Sequence, residues 1–123
     1  EEALRQLHLR FRLAAQAARG YWEAGFSVVL QDNYYGPALE EMASLLRGIP
    51  LRLVVLCPSV ETVRTREASR GKRGYVGFSL EALWHSFMRE TPRAGLWLDN
   101  SHMTVEQAVK EILSRGEKSG PCA

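Results

Sequence analysis

Three short, mostly apolar runs alternate along this chain with longer segments of helical periodicity. The runs cover residues 26–30, 51–57 and 95–98, and helical patterns cover residues 3–24, 37–47, 59–70, 79–90 and 104–113. Buried strands that alternate with helices pair in parallel, and the helices then cover both faces of the sheet. The pattern therefore predicts an α/β protein, a three-layer α/β/α fold with a parallel sheet, and a single domain over residues 1–115.

Four of the helical segments begin with a recognisable start signal. Ser59 and Ser79 each precede a helical pattern, and a serine at that position accepts a hydrogen bond from the first turn. Pro37 stands in the first turn of its segment, where its missing N–H costs nothing. Thr104 and Gln107 have the spacing of a capping box. We therefore expect helices to begin at these four places.

Composition and charge exclude several classes of protein. No apolar run approaches the roughly 18–20 residues that cross a bilayer, so we predict no membrane partner. The net charge is only +2, which is too small to indicate a nucleic-acid partner. The two cysteines, Cys57 and Cys122, have no metal-type spacing. A reducing, cytoplasmic location is the prediction.

Polar residues follow each apolar run, at the sheet edge where ligands bind in open parallel sheets. Asp32 comes soon after the first run, and Ser59 follows the second. A carboxylate at such an edge can hold Mg²⁺ through water beside nucleotide phosphates. Asp32 is accordingly a candidate catalytic and metal-binding residue, and a plain turn residue is the alternative. Asp99, Asn100 and Ser101 follow the third run, so they lie at the same predicted edge of the sheet.

Arg66 and Arg70 lie four residues apart, just before the glycine-rich stretch 71–78. This spacing puts both guanidinium groups on one helix face, where they can grip a polyphosphate. A solvated basic face is the alternative interpretation. The phosphate-loop pattern G-x-x-x-x-G-K-[ST] occurs nowhere in the 123 residues.

The order of three segments resembles a known enzyme family. They read FSVVLQDNYYGPALEEM, LVVLCPSVETVRTREASRGKRGY and ETPRAGLWLDNSHMTVEQAVKEIL. In this order they resemble the latter part of the chloramphenicol phosphotransferase-like P-loop kinases, over roughly residues 10–114. The resemblance implies a P-loop NTPase-like fold that is truncated at its N-terminus, with a lid at about 66–78 and a flexible tail at 116–123.

The resemblance also implies roles for individual residues. Asp32 matches the acidic residue expected near Mg²⁺ and the phosphates, while Gln31 stands where the family often has a second acidic residue. Arg66 matches the arginine that lies against adenine, and Arg70 matches the arginine that meets the phosphates. The loop that lines the base pocket corresponds to Asp99, Asn100 and Ser101.

The function implied by the resemblance is ATP- and Mg²⁺-dependent transfer of phosphate to a hydroxyl group of a small molecule. Because the phosphate loop is absent, we expect the chain to be incomplete as an enzyme and inactive alone. The alternatives are a non-catalytic nucleotide-binding or regulatory module, and a remnant fragment with no separate function. The acceptor and the oligomeric state are left open.

Overall fold

The computed structural model describes residues 1–71 and 79–116, and in these ranges it has five helices and two strands. In chain order the elements are α1 (Glu2–Glu23), α2 (Pro37–Leu45), β1 (Val54–Leu56), α3 (Val60–Ser69), α4 (Leu80–Glu90), β2 (Leu96–Leu98) and α5 (Val105–Gly116).

The predicted helix starts are confirmed by the bonds at the caps. The Ser59 hydroxyl accepts a hydrogen bond from the Thr62 N–H at 3.3 Å, and Ser79 Oγ accepts one from the Ala82 N–H at the same distance. Pro37 is the first residue of α2. At the start of α5, the Thr104 N–H donates to the Gln107 side chain and the Gln107 N–H donates to Thr104 Oγ1, which completes the capping box.

The two N-terminal helices form a core of their own. Phe11, Ala15 and Ala18 recur on one face of α1 at helical spacing, and they are buried against Met42 of α2 and Leu46. Polar contacts hold the pair together at both ends. His8 Nδ1 lies 2.7 Å from Glu41 Oε1, and the Arg19 guanidinium donates to the carbonyl groups of Leu45 and Arg47 at 3.1 Å.

The sheet of the described ranges consists of β1 and β2 alone, paired in parallel with Val55 opposite Trp97. Val55, Leu96 and Leu98 are buried, and α5 packs against β2. Gly95 enters β2 with φ +75°, and a Cβ atom there would lie 2.8 Å from Leu53 Cβ. Only glycine allows the two strands to approach so closely at this point.

The predicted three-layer α/β/α fold, and with it the P-loop NTPase-like sheet, is wrong for this chain. The described residues are mostly helical, with a two-stranded sheet. Of the three predicted strands, 51–57 and 95–98 shorten to β1 and β2, and 26–30 forms no strand. α5 ends at Gly116, the first residue of the segment predicted as a tail.

The physical reason is that an apolar run becomes a strand only when a neighbouring strand accepts its backbone hydrogen bonds. Residues 26–30 have no such neighbour in the described ranges, and their side chains are exposed. The apolar face of α1, which was expected to cover a sheet, packs on α2 instead. Residues 72–78 of the predicted lid and residues 117–123 of the predicted tail lie outside the described residues.

Candidate functional site

The loop that follows β2 is closed by its own side chains. Asp99 Oδ1 accepts hydrogen bonds from the Ser101 N–H, at 3.0 Å, and from the Ser101 hydroxyl. The bond from the Ser101 hydroxyl makes the largest contribution to lowering the pKa of Asp99 from its ordinary value, and the bond from the Ser101 N–H adds to it, because both favour the charged carboxylate. The charge of His102 lowers this pKa further. The loop therefore presents a carboxylate that is ionised at neutral pH.

Ser101 also connects this loop to the start of α3. Its hydroxyl oxygen accepts a hydrogen bond of 2.8 Å from the Ser59 N–H, while the Ser59 hydroxyl caps the helix through Thr62. The Trp84 indole N–H donates to the Pro58 carbonyl at 2.8 Å, so α4 supports the same connection. These bonds hold the ends of β1 and β2 together. They are the ends of two of the three predicted strands after which the sequence analysis placed candidate site residues.

Arg66 lies over the loop. Its Nη2 atom donates a 2.9 Å hydrogen bond to the Asn100 carbonyl, and this bond crosses from α3 to the segment after β2. The structure thus brings together four of the predicted site residues, Arg66, Asp99, Asn100 and Ser101. A planar guanidinium group fixed at one edge in this way can stack on an aromatic base and still donate from its free N–H groups.

Asn100 has an unusual feature. Its side-chain oxygen is buried and has no hydrogen-bond donor in the described part of the chain. A buried acceptor without a donor costs about 1–3 kcal/mol.

Arg70 is not part of this arrangement. It follows α3, its side chain is 74% exposed, and its guanidinium group lies 3.8 Å from the Glu67 carboxylate on its own helix. Its predicted partner, a polyphosphate, would have to draw it away from that carboxylate. The two arginines predicted to act together are therefore differently placed, Arg66 on the loop and Arg70 along the helix.

Asp32 is held by α1. One carboxylate oxygen lies 3.1 Å from Arg10 Nη2, and the other accepts a hydrogen bond of 2.7 Å from the Asn33 N–H. Burial is the main cause that raises the pKa of the Tyr34 hydroxyl, and the charge of Asp32 raises it further. The charge of Arg10 acts in the opposite direction. Because residues 26–30 form no strand, Asp32 does not stand at a sheet edge. Its role near Mg²⁺ stays a prediction.

Arg10 is the partner of the Asp32 carboxylate at the place where the sequence predicted a magnesium ion. The two side chains form an ion pair, and the described ranges contain no group of three or more His, Cys, Asp or Glu side chains able to hold a metal. A Mg²⁺ ion at Asp32 would have to compete with the guanidinium group. We therefore assign no chemical step to a metal ion.

The sequence singled out neither Cys57 nor Trp97 as a site residue. The Arg93 guanidinium carbon lies 3.8 Å from the centre of the Trp97 ring. Burial first, and then the charge of Asp99, raises the pKa of the Cys57 thiol, whereas the charge of Arg93 lowers it. The net shift keeps Cys57 as a neutral thiol at pH 7, which makes it a poor nucleophile. The interactions of Cys57 join the end of β1 to residues on either side of β2, so they have no local sequence signal, whereas the Arg93–Trp97 contact spans only four residues.

Comparison with known proteins adds no relative to this description. None of the described helices is long and apolar enough to span a membrane. No protein-family model matches the chain, and neither a curated protein nor a solved structure matches it.

Proposed function

We propose that Arg66 and the loop 99–101 bind the base of an adenine nucleotide, and that the chain serves ATP-dependent transfer of phosphate to a hydroxyl group of a small molecule. The observation that carries this proposal is the hydrogen bond between Arg66 and the Asn100 carbonyl, which joins a stacking group to a polar loop. The resemblance to the chloramphenicol phosphotransferase-like kinases supports the same assignment for these residues.

The charge of the loop favours the base end of a nucleotide. The Asp99 carboxylate is ionised and exposed on this loop, so it can accept from ribose hydroxyl groups but repels phosphate. We therefore expect the base end of the nucleotide, rather than its phosphates, to lie on this loop.

Phosphate transfer needs groups that this sequence does not supply. The pattern G-x-x-x-x-G-K-[ST], whose backbone N–H groups cradle nucleotide phosphates, is absent from the 123 residues. We therefore expect the chain alone to bind ATP weakly and to transfer no phosphate. A cytoplasmic location belongs to the same proposal, and the free Cys57 thiol is consistent with a reducing compartment.

The test is ATP binding by an arginine variant and a matched control. Arg66→Ala removes the stacking group, and we expect it to raise the Kd for ATP by about tenfold or more, the scale of one charged hydrogen bond. Arg64→Ala makes the same charge change on the same helix, roughly 200° round its axis, and removes only an exposed ion pair with Glu81. Its Kd is expected to equal that of the unchanged chain within about twofold.

The measurement is isothermal titration of ATP into each chain, with folding checked by circular dichroism. Equal losses in both variants would show a response to net charge alone, and no heat of binding in the unchanged chain would also contradict the proposal.

A nucleotide-binding module without catalysis is the second candidate, and one contact favours it. The Asp32–Arg10 ion pair at 3.1 Å occupies the carboxylate that the kinase reading needs near the phosphates. Arg10→Ala removes the partner of Asp32, and it can be combined with an added phosphate-loop segment. If this variant binds ATP at Arg66 but transfers no phosphate, the non-catalytic module is the correct interpretation. Transfer that appears under those conditions would instead favour the kinase.

A further inference from the structure

Residues 26–31 have the composition of a strand but lack a strand's bonds. The segment, FSVVLQ, is rich in apolar and β-branched residues and carries no charge. Within the described ranges, no hydrogen bond involves the backbone or side chains of residues 27–31. Five successive residues therefore offer free N–H and C=O groups to whatever lies beside them.

The side chains of this segment are exposed as well. Val29 is 91% exposed, and Phe26, Val28 and Leu30 are also exposed. The Phe26 ring lies edge-on to the ring of Tyr21 at 6.0 Å, so the aromatic end of α1 continues the same surface. Exposed aromatic and aliphatic side chains grouped in this way mark interaction surfaces rather than ordinary solvent-facing surface.

We infer that residues 26–31 are an edge at which two copies of this chain associate, the two segments pairing as antiparallel strands across a two-fold axis. Free backbone N–H and C=O groups favour another extended polypeptide segment as the partner. The exposed apolar side chains favour a partner segment whose side chains are also apolar. The segment meets both requirements itself. Because it has no charged residue, a two-fold axis at Val28 and Val29 brings no like charges together.

The size of the surface predicts the strength of this association. Stable interfaces bury about 1,200–2,000 Å² in total, which is more than two six-residue strands provide. The exposed Tyr21 and Trp22 side chains at the end of α1 extend the contact area. We expect a dimer whose population rises with protein concentration, rather than a permanent one. This inference does not depend on nucleotide binding at Arg66.

The test compares two valines of similar exposure. Val29→Lys places two like charges beside the two-fold axis, and we expect it to raise the dimer Kd by about tenfold or more. Val105 lies in the first turn of α5 and is 82% exposed, so Val105→Lys makes the same chemical change away from the segment. Sedimentation equilibrium of the 123-residue chain over a range of concentrations gives the Kd of each variant.

Two further variants address the backbone directly. Only every second N–H of a strand points to its partner, so either Ser27→Pro or Val28→Pro removes an N–H on the paired side, and neither costs a bond within the described chain. We expect one of these two variants to weaken the dimer as Val29→Lys does. Hydrogen exchange at residues 27–31 should also slow as the concentration rises, because pairing protects these amides.

Three results would overturn the inference. The unchanged chain could remain monomeric at all concentrations, which would leave the segment for a strand of another polypeptide. Val29→Lys could dimerise as well as the unchanged chain, which would place the contact elsewhere. Val105→Lys could weaken the dimer equally, which would make the loss an effect of added charge. Circular dichroism confirms that each variant is folded.

Discussion

At the scale of single residues, Ser101 organises the candidate site. Its hydroxyl group accepts from the Ser59 N–H and donates to Asp99, so one oxygen joins the start of α3 to the loop after β2. Arg66 then contacts a loop whose shape is already set. Ser101, a neutral side chain, therefore makes several of the hydrogen bonds of the site. Arg70, which was predicted to act together with Arg66, instead lies beside Glu67 of the preceding helix.

The Asp99 titration reports this role. Ser101→Ala removes the hydroxyl bond that contributes most to lowering the pKa of Asp99, so the pKa is expected to rise toward its ordinary value of 3.8. Carboxyl-carbon NMR during an acid titration measures it. Ser114→Ala removes a comparable serine hydroxyl, bonded to the Glu111 carbonyl on α5, and is expected to leave Asp99 unchanged. An equal Asp99 pKa in the Ser101 variant would contradict this bonding.

The same shift has a consequence for stability. A carboxyl group whose pKa is lowered by folding stabilises the folded state above its unfolded pKa, and this contribution is lost as the pH falls through the folded pKa. The difference in melting temperature between the unchanged chain and Ser101→Ala should therefore be largest at neutral pH. It should shrink at a pH below the ordinary pKa of Asp99.

At the scale of elements, one buried hydroxyl joins the turn before α2 to the end of α4. Thr91 is 3% exposed, and its Oγ1 atom accepts a 2.8 Å hydrogen bond from the Gly36 N–H across 55 residues of sequence. Gly36 has φ +61°, a conformation that a side chain disfavours, and it directly precedes Pro37. The start of α2 therefore depends on a contact with α4.

Thr91→Val keeps the shape of this side chain and removes the acceptor. Because the Gly36 N–H then loses its partner, we expect the free energy of unfolding to fall by about 1–3 kcal/mol. Thr65→Val on α3 removes an exposed hydroxyl bonded to the Glu61 carbonyl, and a change within about 0.5 kcal/mol is expected. Urea denaturation compares the two. Equal stability of the two variants would show that the Gly36 bond contributes nothing.

Helices were predictable from local chemistry, and strands were not. Helix starts are predicted by capping bonds that span only three residues, so a short stretch of sequence contains the whole signal. Such bonds are made by Ser59, Ser79 and the Thr104–Gln107 pair. Residues 26–30 have equally clear strand composition, yet they form no strand. A strand requires a partner that is distant in sequence, and the composition of one run cannot show that such a partner exists.

At the scale of the whole molecule, the predicted site residues are divided. The family resemblance grouped Arg66 and Arg70 with residues 99–101, and of the two arginines Arg66 contacts this loop, at the Asn100 carbonyl. Asp32 was expected at the edge of a sheet, but the α1–α2 packing leaves no sheet there and Arg10 holds its carboxylate. The hydrogen bond of Trp84 to Pro58 and the interaction of Cys57 with Asp99 join segments that are distant in sequence, so no spacing in the sequence reveals them.

The most direct test of the nucleotide site is to map where ATP binds. In an amide NMR spectrum of the isotopically labelled chain, ATP is expected to shift the signals of Ser59, Arg66 and residues 99–101, which share the hydrogen bonds of the loop. The amides of α5 from Val109 onward serve as an internal reference and should move little. Shifts confined to the Arg66 loop would support the proposed site. Shifts centred on another part of the chain, or none at saturating ATP, would contradict it.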